Sequence, residues 1–412
     1  MSSKPAIVID VGTGFTKMGY AGTDEPSYLI PTTFAGNPPE AKPGKKHGLE
    51  DLDFFIGQEA IAKQKSYGLS YPVRHGLIEN WDQMEKFWSQ SLFQYLHCDP
   101  EEHNFLLTEP PLNTPENREQ TAEIWFETFN AGGIYIAVQA VLALCASWTS
   151  KKSASRQLTG TVIDSGDGVT HVIPVSDGAV IASAIKHIPI AGRDFTNFTM
   201  NMMRGREKMP TADALQIAMR MKERHAYVCK DLKREILAFD ASPVDYIKLY
   251  TGMDRVNMKT FEVEMGYERF MAPEIFFNPA IYSGDFVTPL PDLVDQTIQA
   301  CPIDCRKPLY NNIVLSGGST MFQNFSKRLQ RDIKKLANDR IKYSHEVSGG
   351  RIPLAELDVN VVSHKKQRYA VWYGGSLLST TPEFGTGMVH TREDYLEYGP
   401  SICRHNPVLG LN

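Results

Sequence analysis

Cysteine is scarce and unpatterned in this sequence. Cys98, Cys145, Cys229, Cys301, Cys305 and Cys403 form no CxxC pair and have no histidine nearby at zinc spacing, which excludes a zinc motif of that kind. Such usage suits a reducing cytoplasm, and the closest pair, Cys301 and Cys305, reads as packed thiols. A basic surplus is missing as well. With 43 Lys and Arg against 48 Asp and Glu, the chain carries a formal charge of -5, which argues against a nucleic-acid footprint. Its one basic run, 327-KRLQRDIKK-335, reads as the solvated face of a helix. The longest apolar stretch, 134-IYIAVQAVLALCASW-148, is broken by Gln139 and falls short of the ~20 residues of a membrane span. It reads as a buried helix, and no membrane insertion is expected. Only four residues separate Pro5 from Asp10, too few for the apolar region of a signal peptide, so the N-terminus reads directly as a first strand.

What is present is an ordinary globular composition in 412 residues, longer than one common domain by roughly a factor of two, so two lobes with separate cores are expected. The stretch 36-GNPPEAKPGKKHGLEDLD-53, dense in Gly, Pro and charge, reads as an exposed loop. In 114-TPENREQTAEIWFETF-129, Thr114 is placed as N-cap and Pro115 at the first helical position of a firm helix. The polar segment 149-TSKKSASRQLTG-160 suits a boundary between lobes. Later, 312-NIVLSGGSTMFQNFSKRLQRDIKKL-336 reads as strand, Ser-Gly-Gly turn and helix, with Phe322, Phe325, Leu329, Ile333 and Leu336 at spacings of three and four. Strands and helices alternate throughout, which gives an α/β class with sheets covered by helices.

One motif occurs twice. Both 5-PAIVIDVGTGFTKMGYAG-22 and 162-VIDSGDGVTHVIPV-175 send an apolar strand into an aspartate, then a Gly-x-Gly turn, then a second strand; Asp10 and Asp164 lie 154 residues apart. Successive N–H groups in a tight turn converge on one point and bind an anion, and glycine lets a phosphate approach. A single such turn is more often mere hairpin chemistry; two on a shared plan favour phosphate at Gly12-Thr13-Gly14 and Gly166-Asp167-Gly168. Neither is a Walker loop or a Rossmann turn, because GxxxxGK[ST] is absent and no helix follows. Carboxylates beside phosphates repel unless a hard cation lies between, so Asp10 and Asp164 suggest Mg²⁺. Lys17 and His171, each seven residues after its aspartate, point at the same region. The glycine turn near 317 offers either a helix N-terminus for a nucleotide or a tight connection with no ligand.

Together Asp-x-Gly-Thr-Gly with Lys17, 164-DSGDGVTH-171, 315-LSGGSTMF-322 and 71-YPVRHGLIENWDQME-85 resemble the actin superfamily, over nearly the whole chain. The resemblance implies a duplicated actin/heat-shock/sugar-kinase-like α/β fold with an ATP cleft between two lobes: a small lobe at 1-147 plus 370-412, and a large lobe at 148-369 with a subdomain inserted at about 191-285. It implies that Gly12, Thr13, Gly14, Phe15 and Lys17 hold phosphates from one lobe and Gly166, Asp167, Gly168 and Val169 from the other. Asp10, Asp164 and Gln139 would orient the waters of bound Mg²⁺, and Gln139 with His171 would place an attacking water, which leaves the hydrolysis rate open. Lys222 and Glu223 would lie near ribose and adenine, closed by Gly317, Gly318, Ser319, Met321 and Phe322. Arg368 stands where the family usually has lysine, and Met219 where actin has arginine.

The sequence departs from conventional actin at 36-53, near 151-157, 241-258 and 344-356, and in the tail 403-412. It is similar in this to the actin-related subunits of the seven-protein complex that nucleates branched actin filaments. The partners implied are actin, a second actin-related protein, five further complex subunits and nucleation-promoting factors, in the cytoplasm and the cytoskeleton of actin-rich cell projections. Conventional filament-forming actin and a sugar- or acetate-kinase-type phosphotransferase are the rival readings.

Overall fold

The computed structural model describes residues 4–36, 54–64, 66–150, 157–207, 209–210, 214–253 and 258–405. Two mixed sheets share one plan. In the first, β1 (Ile7–Val11), β2 (Phe15–Tyr20) and β3 (Tyr28–Pro31) form an antiparallel meander, and β4 (Asn104–Glu109) and β5 (Gly133–Val138) continue it parallel to β1. In the second, β6 (Gly160–Ser165), β7 (Thr170–Ser176) and β8 (Ala179–Val180) repeat the meander, with β9 (Lys186–Ile188) also pairing with β7. There β10 (Ile313–Ser316) and β11 (Val361–Val362) lie parallel to β6. A last strand, β12 (His390–Thr391), returns to the first sheet beside β5. Ile7, Val8 and Ile9 are fully buried, as expected of strands covered on both faces.

The helices that bear on the site are α1 (Pro115–Glu123), α2 (Gln139–Ser147), α3 (Gly192–Arg204), α4 (Ala214–His225), α5 (Phe325–Val347) and α6 (Ala370–Leu378). The chain passes from the first sheet to the second through α2 and returns through α6. Both helices belong to a central core with Val8 and Leu106 of the first sheet and Val162, Ile173 and Val314 of the second. They pack so closely that a Cβ on Gly374 would stand 1.8 Å from the Leu142 carbonyl oxygen. Trp372, fully buried, donates its indole N–H to the Val8 carbonyl at 3.0 Å and ties α6 to β1.

The apolar stretch 134–148 is not one helix. Its first half is β5, in parallel register with β4 (Ile134 opposite Phe105), and only from Gln139 onward is it α2. Continuous apolarity cannot separate a buried strand from a buried helix; the change from IYIAV to the Ala- and Leu-rich AVLALCA is where β preference yields to helix preference. Gln139 therefore stands at a strand–helix junction.

The helix over 115–123 has the expected start, with Thr114 Oγ1 accepting from the Asn117 N–H at 3.3 Å. The basic run does lie on α5, but it is not uniformly solvated: Arg328 donates to both oxygens of Glu274 at 2.8 and 2.9 Å. The buried face is Phe325, Leu329, Ile333 and Ala337; Ala337 sits where Leu336 was expected, because the register is four residues throughout. All six cysteines are free thiols, and Cys301 is buried whereas Cys305 is half-buried. The loop expected at 36–53 lies, apart from Gly36, outside the described residues, as do 151–156, 254–257 and the tail beyond 405.

Candidate functional site

Each sheet brings an aspartate to the same place. Asp10 is the register partner of Lys17 across β1 and β2, and Asp164 that of His171 across β6 and β7. The spacing of seven seen in the sequence is thus the closing of a hairpin. The aspartates stand at the carboxyl ends of the parallel strands, where open α/β sheets form ligand crevices. A cavity of about 570 Å³ opens there, a volume typical of small-molecule sites. It is lined by Asp10, Gly12, Thr13, Gly14, Phe15, Lys17 and Gln139 of the first sheet and its following helix. From the second half come Asp164, Gly166, Asp167, Gly168, Val169, His171, Lys222, Glu223, Gly317, Gly318, Ser319, Met321, Phe322 and Arg368. Every residue singled out from the sequence is on that surface.

The two glycine turns press on one another. A Cβ on Gly168 would lie 2.7 Å from Thr13 Cγ2, and one on Gly14 would lie 2.6 Å from Asp167 Cβ. The second turn is also held from behind: the Ser319 hydroxyl and the Gly192 N–H donate to the Gly166 carbonyl at 2.7 and 3.0 Å, and the Arg193 N–H donates to the Asp167 carbonyl at 2.9 Å. Its carbonyls are thereby occupied. Among the described residues, the N–H groups of Thr13, Gly14, Asp167 and Gly168 have no acceptor. Donors left free on both walls of one cleft fit a phosphate chain.

Asp10 is nearly fully buried. It accepts from Lys17 Nζ at 2.8 Å, from the Thr108 hydroxyl at 2.7 Å and from Gln139 Nε2 at 3.4 Å. Burial pushes the Asp164 carboxyl up; the Ser316 hydroxyl and Lys17 work against this, and the charge of Asp10 adds to it. Two carboxylates share one ammonium, which leaves a deficit of positive charge. No group of three His, Cys, Asp or Glu with metal-holding geometry occurs among the described residues. Asp10 and Asp164 offer oxygen donors alone, which suits a hard cation that keeps most of its waters, as Mg²⁺ does.

Burial, and after it His187, holds the His171 imidazole down at about 4, so the ring is neutral at physiological pH. Its Nε2 lies 3.0 Å from His187 Nδ1. Burial also lowers the Lys222 ammonium, which donates to the Gly192 carbonyl and the Thr196 hydroxyl, both at 2.8 Å.

The third turn differs from its sequence reading. Helix α5 begins at Phe325, after Asn324 with φ of 66°, and Gly318–Thr320 make a separate short 3₁₀ turn. The cleft therefore meets this turn's backbone and the Ser319 hydroxyl and not a helix N-terminus. Sequence reasoning also missed Thr108, Ser316, Thr196 and Tyr369. The first two stand at or next to the ends of strands that lie parallel to β1 and β6, a pairing no local pattern reveals. Thr196 follows Gly192 by one helical turn and faces Lys222. Tyr369 lines the cavity and donates its hydroxyl to Glu25 at 2.7 Å.

Comparison with known proteins places the sequence among relatives. The Actin family model matches residues 1–406. The chain is 60% identical over 413 residues to "Actin-related protein 3" of Dictyostelium discoideum, covering 99% of this chain and 98% of that one. It is 59% identical over 423 residues to "Actin-related protein 3" of Acanthamoeba castellanii, with the same coverage.

Proposed function

The chain belongs to the actin family, and from that premise we propose that it is an ATP-binding actin-related subunit of the complex that nucleates branched actin filaments. The observation that carries the nucleotide reading is the pair of facing turns with free N–H donors above two carboxylates. In this reading Gly12 to Phe15 with Lys17, and Gly166 to Val169, grip the phosphates from two lobes, 1–147 with 370–412 and 148–369. Lys222, Glu223, Arg368 and the turn from Gly317 to Phe322 take the ribose and base. Asp10 and Asp164 hold Mg²⁺ through its waters, and the ion supplies the positive charge that lets carboxylates and phosphates share the cleft. Gln139 and His171 orient a water for slow hydrolysis. A ligand gripped from both walls favours the closed cleft over the open one.

The partners in this reading are actin, a second actin-related protein, five further subunits and nucleation-promoting factors, and the setting is the cytoplasmic cytoskeleton of cell projections. The groove end that receives the next actin subunit lies, in this reading, beside the actin-like segments near 139–148, 164–171 and 371–384. The chain then templates growth in one direction and does not polymerise alone. An interface of ~1,600 Å² gives useful affinity only with both partners held in register, which is the role of the scaffold subunits.

Two measurements test this. ATP binding to the full chain should require Mg²⁺, and Gln139→Ala or His171→Ala should slow phosphate release with little change in ATP affinity, as expected of contacts that matter in the transition state. Actin assembly should be compared with the isolated chain, the complete complex, and a complex lacking this chain. Efficient nucleation by the isolated chain, or unimpaired branching without it, refutes the template role.

A further inference from the structure

The hydrolytic reading leaves one contact without a role. His187, on the short strand β9, presents Nδ1 to His171 Nε2 at 3.0 Å, and the two strands pair with these residues in register. A neutral imidazole has one N–H and one bare nitrogen. The single hydrogen bond between the rings therefore decides the state of His171's other nitrogen. If His171 donates from Nε2, its Nδ1 is bare and accepts a hydrogen bond from a water. If His187 donates from Nδ1, His171 carries its proton on Nδ1 and can only donate there. Among the described residues Nδ1 of His171 has no protein partner, and the residue lines the cleft.

We infer that His187 is a positioning residue: it accepts from His171 and so selects the tautomer whose Nδ1 is free to accept from a water in the cleft. His187 is itself exposed, so its own proton can reside on Nε2, where solvent satisfies it. The groups facing it are His171 on β7 and His75 on the Val73–Ile78 hairpin, whose ring lies 6.4 Å away and whose Nδ1 is 3.4 Å from the Gly168 carbonyl. Lys186 precedes it on β9. Partial desolvation of the ring on the side facing its neighbours, and then His75, lowers the His187 imidazole below its ordinary value. It is therefore neutral at pH 7.5. When acid adds a proton to His187 Nδ1, that nitrogen must donate, and the proton on His171 moves from Nε2 to Nδ1.

The inference rests on the reading of the cleft as an ATP site, but its spectroscopic test does not. In the full chain with ¹⁵N-labelled imidazoles, long-range ¹H–¹⁵N spectra taken with and without ATP should show His171 as the Nε2–H tautomer at pH 7.5, turning to Nδ1–H as His187 is protonated. His187→Phe should abolish the preference. His187→Asn, which sets an amide oxygen near the Nδ1 position, should retain it. With ATP and Mg²⁺, phosphate release should fall on the order of tenfold in His187→Phe and recover in His187→Asn, with ATP affinity unchanged in both. An Nδ1–H tautomer for His171 in the unaltered chain at pH 7.5, or a tautomer unmoved by His187→Phe, overturns the inference. Failure of the unaltered chain to bind ATP overturns the ATP reading instead, and the nucleotide-free spectra still decide the role of His187.

Discussion

Gly168→Ala adds one methyl group at the contact between the two turns. The new Cβ would lie 2.7 Å from Thr13 Cγ2 and 3.0 Å from both Thr13 Cβ and Oγ1, whereas carbon atoms pack best at about 3.5–4.0 Å. The turns must part by roughly 1 Å. Thr13 has little room to yield, because its Oγ1 accepts the Gly76 N–H at 2.8 Å. The second turn is pinned in turn by Ser319, Gly192 and Arg193. With ATP held as proposed, parting moves one set of N–H donors off its phosphates. Hydrogen bonds to a charged group are worth about 1.5–3 kcal/mol each, so losing two weakens ATP binding by about 3–6 kcal/mol, or roughly 10²- to 10⁴-fold. The turn is partly exposed and outside the cores, so the nucleotide-free melting temperature should change little. Thr13→Ser deletes the nearest clashing atom and keeps the hydroxyl; added to Gly168→Ala it should restore part of the affinity. A fluorescent-ATP titration with a thermal melt on each variant reads both effects. Affinity in Gly168→Ala within threefold of the unaltered chain would refute the two-sided grip.

Two further outcomes are expected. Among the described residues, Arg328→Ala removes the only cation paired with Glu274, whose side chain is fully buried and keeps only the Asn278 amide and the Cys229 thiol as donors; removal of one partner of a buried pair costs about 3–5 kcal/mol, and urea denaturation should show this, with exposed Lys335→Ala within about 0.5 kcal/mol of the unaltered chain. Burial holds His364 down at about 4, so between its unfolded value near 6.5 and 4 the unfolded chain binds more protons, and stability is lost as pH falls through that window. Denaturation midpoints at a series of pH values should fall less steeply there in His364→Leu.

Much of the site was legible because its residues lie close in sequence. A strand ending in aspartate, two glycines and a return strand form a unit that hairpin geometry closes without help from elsewhere, so Asp10 with Lys17 and Asp164 with His171 could be paired from spacing alone. Thr108 and Ser316 could not, because parallel strands meet through long crossovers and the partner of β1 or β6 is set by how helices cover the sheets. The stretch 134–148 was misread for a related reason: apolar residues throughout suit burial in either conformation, and the presence of β4 alongside makes the first half a strand.

The sequence by itself determined the duplicated hairpins, which local residue type and spacing close, and the family, which motifs spread over nearly the whole chain carry. Only the tertiary structure decided that the two turns touch, that Arg328 is buried against Glu274, and that His187 reaches His171. Each of these contacts joins groups held in place by different elements, and close packing of whole sheets and helices fixes such distances where local preference has no influence.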